Sequence, residues 1–298
     1  MLNLKLVGIF FLLGLAIAKI ESFKLIYLIF NQKKIPTKIE TSLDKSANPA
    51  LKLVANRSSA QRSVLQIARQ VTVRILTNSG LGSGVIVERR GQIYTILTNY
   101  HVVADRPDQN YTVLTADGQT HQAQWLQIER FGNLDVALVQ FYSHNSYQVV
   151  RIRDSNSLSV GDFVYASGFP AWHFTRQGNK ITSLEDTRNW GMRAFRVTEG
   201  MVEMLSPKAL SGGYQIGYSN DVVEGMSGGP VLNHQGELIG ISGMLKYPLQ
   251  GIEAHVFADG TMPSEQLFGQ MEALSWAIPI ENWQDQNETL IRVNAVNK

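Results

Sequence analysis

The chain has 298 residues, no cysteine and a formal net charge of +2. The lack of thiols excludes a disulfide scaffold, a thiolate zinc site, an iron–sulfur cluster and a cysteine nucleophile, but not secretion. The near-balanced charge leaves no basic footprint for nucleic acid, and 44% hydrophobic with 17% charged residues is a folded composition.

In chain order, residues 1–18 read as a secretory signal or an uncleaved anchor. Lys5 gives a positive start, Leu6 to Ala18 is uncharged, and Ala16-Ile17-Ala18 has the small-x-small form of a cleavage site. A second apolar patch, Phe23 to Phe30, follows. Fusing the two into one span would put Lys19, Glu21 and Lys24 inside it. Each charge costs about 2.5–3.5 kcal/mol near the bilayer centre, which disfavours a single long helix. Residues 19–63 therefore make an apolar patch and a basic linker carrying Lys33, Lys34, Lys38, Lys45, Lys52, Arg57 and Arg62. The expectation is an extracytoplasmic body, periplasmic or secreted, with membrane association open to it through residues 1–30.

From Val64 the pattern changes. A short helix over Val64–Arg69 leads into β-branched runs at Val71–Thr77, Gly84–Glu88, Ile93–Thr98, Tyr111–Thr115, Gln122–Ile128 and Asp135–Phe141. Turn signals such as Arg90-Gly91 and Asp117-Gly118 divide them. After a break near Arg153–Ser159 a second series follows: Phe163–Gly168, Phe195–Val202, Tyr214–Gly217, Pro230–Leu232, Leu238–Ser242, Gly251–Val256 and Leu274–Ile278. There is no βαβ alternation. The pattern predicts an all-β chain of two antiparallel barrels or sandwiches in tandem.

Three segments carry chemistry. In Gly225-Met226-Ser227-Gly228-Gly229-Pro230 a serine stands among glycines, which suits a sharp turn with free backbone N–H groups around a nucleophile. A serine needs a base. Of the six histidines, His101 ends an apolar strand, in Thr98-Asn99-Tyr100-His101-Val102-Val103, and the others lie in polar turns or at strand ends without a comparable setting. Asp135, in Asn133-Leu134-Asp135-Val136-Ala137-Leu138, is an acid in apolar surroundings that a histidine partner would compensate. The order His, Asp, Ser differs from the Ser, acid, His order of α/β-hydrolases, so an esterase of that type is disfavoured. No metal-ligand spacing and no phosphate-binding loop occurs in the sequence, so neither metal nor cofactor is expected.

The segments TNYHVV, NLDVALV and GMSGGPV resemble the three catalytic blocks of trypsin-like serine proteases, closest to the bacterial Deg/HtrA type. Gly82-Ser83-Gly84-Val85, Val160-Gly161-Asp162 and Trp276-Ala277-Ile278-Pro279 add to the likeness, which covers residues 64–284. It implies two six-stranded antiparallel β-barrels, about 70–153 and 154–282, with a site in the cleft between them and a tail over 285–298. It implies an endopeptidase acting on proteins or peptides, with His101 as general base, Asp135 as orienting acid and Ser227 as nucleophile. The backbone N–H groups of Gly225 and Ser227 would form the oxyanion hole. The alternative is a non-catalytic peptide-binding module on the same fold.

The resemblance also frames finer expectations. Deg-type proteases carry a PDZ domain after the protease; the stretch beyond Ile280 is too short for one, so a stand-alone protease domain is expected. Met226 stands where zymogen-type relatives have an aspartate, so activation by that ion pair is not expected. Asp221 occupies the position of the primary-pocket floor and would favour Arg or Lys before the scissile bond, with Glu224 at the rim. Met244, on the pocket wall, would crowd a long side chain. Ser242 resembles the serine that braces the aspartate and begins the substrate-pairing strand. Trp172 to Ala194 reads as a long, charged and aromatic surface insertion.

Overall fold

A computed structural model describes residues 61–77, 80–104, 111–126, 131–178 and 180–283. The expected leader, most of the linker and the tail lie outside these residues. No helix among the described residues is long and apolar enough to cross a membrane.

The β-branched runs close into two barrels. The first is built from β1 (Thr72–Leu76), β2 (Leu81–Arg90), β3 (Ile93–Thr98), β4 (Tyr111–Leu114), β5 (Thr120–Leu126) and β6 (Ala137–Tyr142), in the order β1-β2-β3-β6-β5-β4. All its pairings are antiparallel. Alternate residues such as Val73, Ile75, Ile86, Tyr94 and Ile96 point inward and are fully buried. The second barrel uses β7 (Phe163–Gly168), β10 (Arg196–Leu205), β11 (Ile216–Tyr218), β12 (Pro230–Leu232), β13 (Leu238–Met244) and β14 (Ser275–Pro279), in the order β10-β11-β14-β13-β12-β7. Between β7 and β10 in sequence, β8 (Trp172–Gln177) and β9 (Lys180–Asp186) make a two-stranded sheet of their own.

The two six-stranded barrels are the expected fold. A third apolar cluster joins them: Val85, Leu97 and Leu138 of the first barrel meet Leu232, Ile241 and Trp276 of the second. Residues 61–71 form a helix that sets Val64, Ala68 and Val71 on this same cluster, the i, i+4, i+7 stripe of an amphipathic helix. Chain bridges reinforce the join, with Leu134 beside Gly212 and Ile152 beside Leu238.

Several elements differ from the sequence reading. Val71 closes the helix rather than opening β1. The predicted strand Gly251–Val256 is a 3₁₀ helix over Gly251–His255. Ile252, Ala254 and Val256 alternate like a strand, but Gly251 N donates to Pro248 O at 2.9 Å and curls the chain first. The Trp172–Ala194 insertion is ordered as the β8–β9 hairpin followed by 3₁₀ turns over Arg188–Ala194. The helix Glu265–Met271 has a readable start in Ser264, whose side chain accepts from Leu267 N.

Candidate active site

The site is assembled where the two barrels meet. After β3 the chain turns at Asn99 into a single helical turn, Tyr100–Val103. Val102 and Val103 are buried and anchor the turn. His101 lies on its other side, with its side chain 48% exposed. Two bonds hold the approach: Thr98 Oγ1 donates to Ser83 O at 2.7 Å, and Asn99 Nδ2 to Asp135 O at 2.8 Å.

Asp135 lies just before β6, not within it. Its N–H donates to Gly212 O of the second barrel at 2.9 Å. Its carboxylate receives three bonds. The backbone N–H of His101 donates to Oδ1 at 2.9 Å, His101 Nδ1 pairs with Oδ2 at 2.6 Å, and Tyr214 Oη donates to the same Oδ2 at 2.5 Å. With Nδ1 facing the acid, the other ring nitrogen is the one left for proton transfer. Burial, and then the neighbouring Asp135 charge, push the Tyr214 phenol well above its usual range.

Ser227 sits on the turn before β12. Ser83 N donates to its carbonyl at 2.8 Å, and Gly228 N donates to Ser242 O at 2.8 Å. The Ser227 hydroxyl donates to Gly243 O at 3.4 Å, a long and weak bond. Gly225 has φ +90, and a Cβ there would lie 2.5 Å from both Ala171 N and Phe169 O, so only glycine fits. The peptide units around it are fixed from outside the turn. Ala171 N donates to Glu224 O at 2.7 Å, and Ser83 Oγ donates to Gly225 O at 2.8 Å while accepting from Phe169 N at 2.9 Å. A trans peptide points its N–H opposite its C=O, so the Gly225 N–H faces away from Ala171. Among the described residues neither Gly225 N–H nor Ser227 N–H has a protein acceptor.

The expected specificity residues are less convergent. Asp221 is 85% exposed and accepts from Lys246 Nζ at 2.8 Å, and that lysine also donates to Ser219 O at 2.7 Å. Asp221 is thus no unpaired charge on a pocket floor. Glu224 is exposed and Met244 half-buried. Ser242 is buried and accepts from Tyr218 Oη at 2.7 Å. The donor found on the Asp135 side chain from the second barrel is Tyr214 rather than Ser242. Met226 is buried in the second barrel's apolar cluster. Sequence reasoning also missed Ser83, Ala171 and Lys246. For Ser83 the signal was present, a small hydroxyl between two glycines at a close barrel contact. For Tyr214 there was none, because its partner, Asp135, belongs to the other barrel. No cluster of three or more metal-ligating side chains occurs among the described residues.

A family model described as Trypsin-like peptidase domain matches residues 82–241. The chain is 31% identical over 161 residues to Serine protease HTRA1 of Xenopus tropicalis, covering 54% of this chain and 30% of the relative. It is 34% identical over 192 residues to the Probable periplasmic serine protease do/HhoA-like of Haemophilus influenzae, covering 63% of this chain and 35% of the relative. To Serine protease HTRA2, mitochondrial, of Drosophila erecta it is 30% identical over 165 residues, 55% of this chain and 34% of the relative. The chain spans about a third of the length of these relatives. The match over 82–241 takes in His101, Asp135 and Ser227 on two closed barrels, and the chain belongs to the trypsin-like peptidase domain family.

Proposed function

We propose that the chain is a serine endopeptidase that cleaves proteins or peptides through an acyl-enzyme, with His101, Asp135 and Ser227 as its triad. The observation that carries this reading is the carboxylate of Asp135, which holds His101 by ring and backbone together. In the reaction the Ser227 hydroxyl leaves Gly243 O, gives its proton to His101 Nε2 and attacks the peptide carbonyl. The oxyanion forms against the N–H groups of Gly225 and Ser227. His101 then returns the proton to the leaving amine. Water, deprotonated by the same ring, hydrolyses the acyl group on Ser227. Asp135 keeps its proton-free form throughout and stabilises the imidazolium. The end of β13, Ser242 to Met244, is the edge along which a peptide would lie.

A fluorophosphonate probe tests the reading. It should label Ser227 in the folded wild type, and Ser227→Ala should remove the label and lower kcat by on the order of 10⁶. No labelling at any pH from 6 to 9 overturns it in favour of a non-catalytic peptide-binding module. We also infer an extracytoplasmic site of action, supported by the leader-like residues 1–18 and by a relative whose name includes periplasmic. Fractionation of cells expressing the full chain tests that inference; recovery of the protein in the cytoplasm alone refutes it.

A further inference from the structure

We infer that Tyr214 is a positioning residue of the triad, setting the orientation and hydrogen-bonding strength of Asp135 in place of the serine that the sequence pattern suggested. The inference rests on the triad reading above. Four observations carry it. First, Tyr214 Oη donates to Asp135 Oδ2 at 2.5 Å, the same oxygen that faces His101 Nδ1 at 2.6 Å. The two donors compete for one oxygen, so the tyrosine modulates how strongly the acid holds the imidazole. Second, Tyr214 is buried in the apolar cluster between the barrels, with 5% relative exposure, so the bond is shielded from water. Third, Ser242 makes no bond to Asp135 among the described residues; its Oγ accepts from Tyr218 Oη at 2.7 Å. Fourth, Gly243 makes room: a Cβ there would overlap the Tyr214 hydroxyl and lie 2.7 Å from Asn99 Oδ1. The register of β13 against β14 shifts between Ser242 and Met244, moving this glycine relative to the ladder.

The chemistry follows from charge. A phenol donating to a carboxylate stabilises its negative charge and weakens it as an acceptor for a second donor. Tyr214 therefore keeps Asp135 aligned and holds its pull on the imidazole below the maximum. The titratable groups bearing on Asp135 are His101 from the first barrel and Tyr214 from the second, with Tyr218 next to Tyr214.

Two substitutions test this in the full chain. Tyr214→Phe removes one oxygen. It should lower kcat about 10- to 100-fold, the loss of one hydrogen bond to a charged group, with KM little changed. It should also move the acid limb of the kcat/KM profile to higher pH, because the acid then holds the imidazolium more tightly. Replacing Tyr214 by 3,5-difluorotyrosine keeps the shape and strengthens the donor, and should move that limb to lower pH. Opposite displacements are the expected result. If the phenylalanine variant does not fold, the fluorinated variant decides alone by the direction of its shift. An unmoved limb, in an enzyme whose wild type is labelled at Ser227 by a fluorophosphonate, overturns the inference and leaves the triad standing. A wild type that takes no label refutes the triad itself.

Discussion

The amide of Ala171 donates to the carbonyl of Glu224 at 2.7 Å, and through that bond a segment beyond β7 decides which way the Gly225 N–H points. Ala171 is held in turn. Thr187 N donates to its carbonyl at 3.0 Å, and the fully buried Arg74 donates to Thr187 O and Thr187 Oγ1, each at 2.7 Å. Burial lowers the Arg74 guanidinium to about 10, still charged at neutral pH. The Gly225 peptide, proposed above as an oxyanion donor, is thus the last member of a chain of bonds that starts at Arg74 on β1.

Gly225→Ala breaks that arrangement at its end. The added Cβ would press on Phe169 O and Ala171 N, and φ +90 is strained for alanine. A kcat loss of roughly 10²–10³ is expected, the usual size for one oxyanion donor, with KM little altered. Steady-state kinetics on a peptide substrate measures both; a variant with wild-type kcat would remove Gly225 from the oxyanion hole.

Ser83→Ala acts one step earlier. It strips the donor from Gly225 O and the acceptor from Phe169 N, both in buried surroundings. Stability should fall by about 1–3 kcal/mol in denaturant unfolding. Activity per folded molecule should fall as well, since the Gly225 peptide is then free to turn. Lowered stability with unchanged activity would make Ser83 a structural residue only.

Lys246→Met leaves the exposed Asp221 carboxylate without its cation. If Asp221 reaches the residue before the scissile bond, cleavage after Arg or Lys should gain relative to cleavage after Leu. Because the pair is partly in water, the gain should be on the order of tenfold or less. Adding Asp221→Asn should cancel it. Cleavage profiles of a peptide library would read the change, and an identical profile in all three proteins separates Asp221 from specificity.

His255 predicts an acid-side weakness. It is fully buried against Phe268 and Trp276, and burial lowers its protonation range below the usual one. The unfolded chain therefore takes up the proton first, from about pH 6.5 downward. Native stability falls as pH drops below that point, by up to about 1.4 kcal/mol per unit until the native ring also titrates. Urea midpoints at pH 7.5 and 5 should separate more in wild type than in His255→Phe. Equal separations would mean that the ring does not titrate differently in the two states.

Much of the architecture was legible in the sequence, because strands in half-buried barrels carry period-two patterns and glycine-marked turns. β3, β7 and β12 have the bounds the pattern indicated. The segments of the candidate site stood out too, since a serine among glycines and an acid in an apolar run each break a local rule. What could not be read was pairing through space. Tyr214 looks like an ordinary strand aromatic until the barrels bring it to Asp135. Lys246 looks like a surface charge until it meets Asp221. Gly251–Val256 misled in the other direction, because five residues of alternation cannot outweigh a turn that has already closed.

The helix over residues 61–71 has a practical corollary for how the protein could be set free from whatever precedes it. Val64, Ala68 and Val71 are nearly inaccessible to water and complete the apolar seam between the barrels. A cut within that helix would peel away part of the seam and unsettle the surfaces that carry His101 and Ser227. A cut ahead of residue 61 would leave those three side chains in place. A fragment that keeps this seam must therefore include that helix and not begin at the first strand.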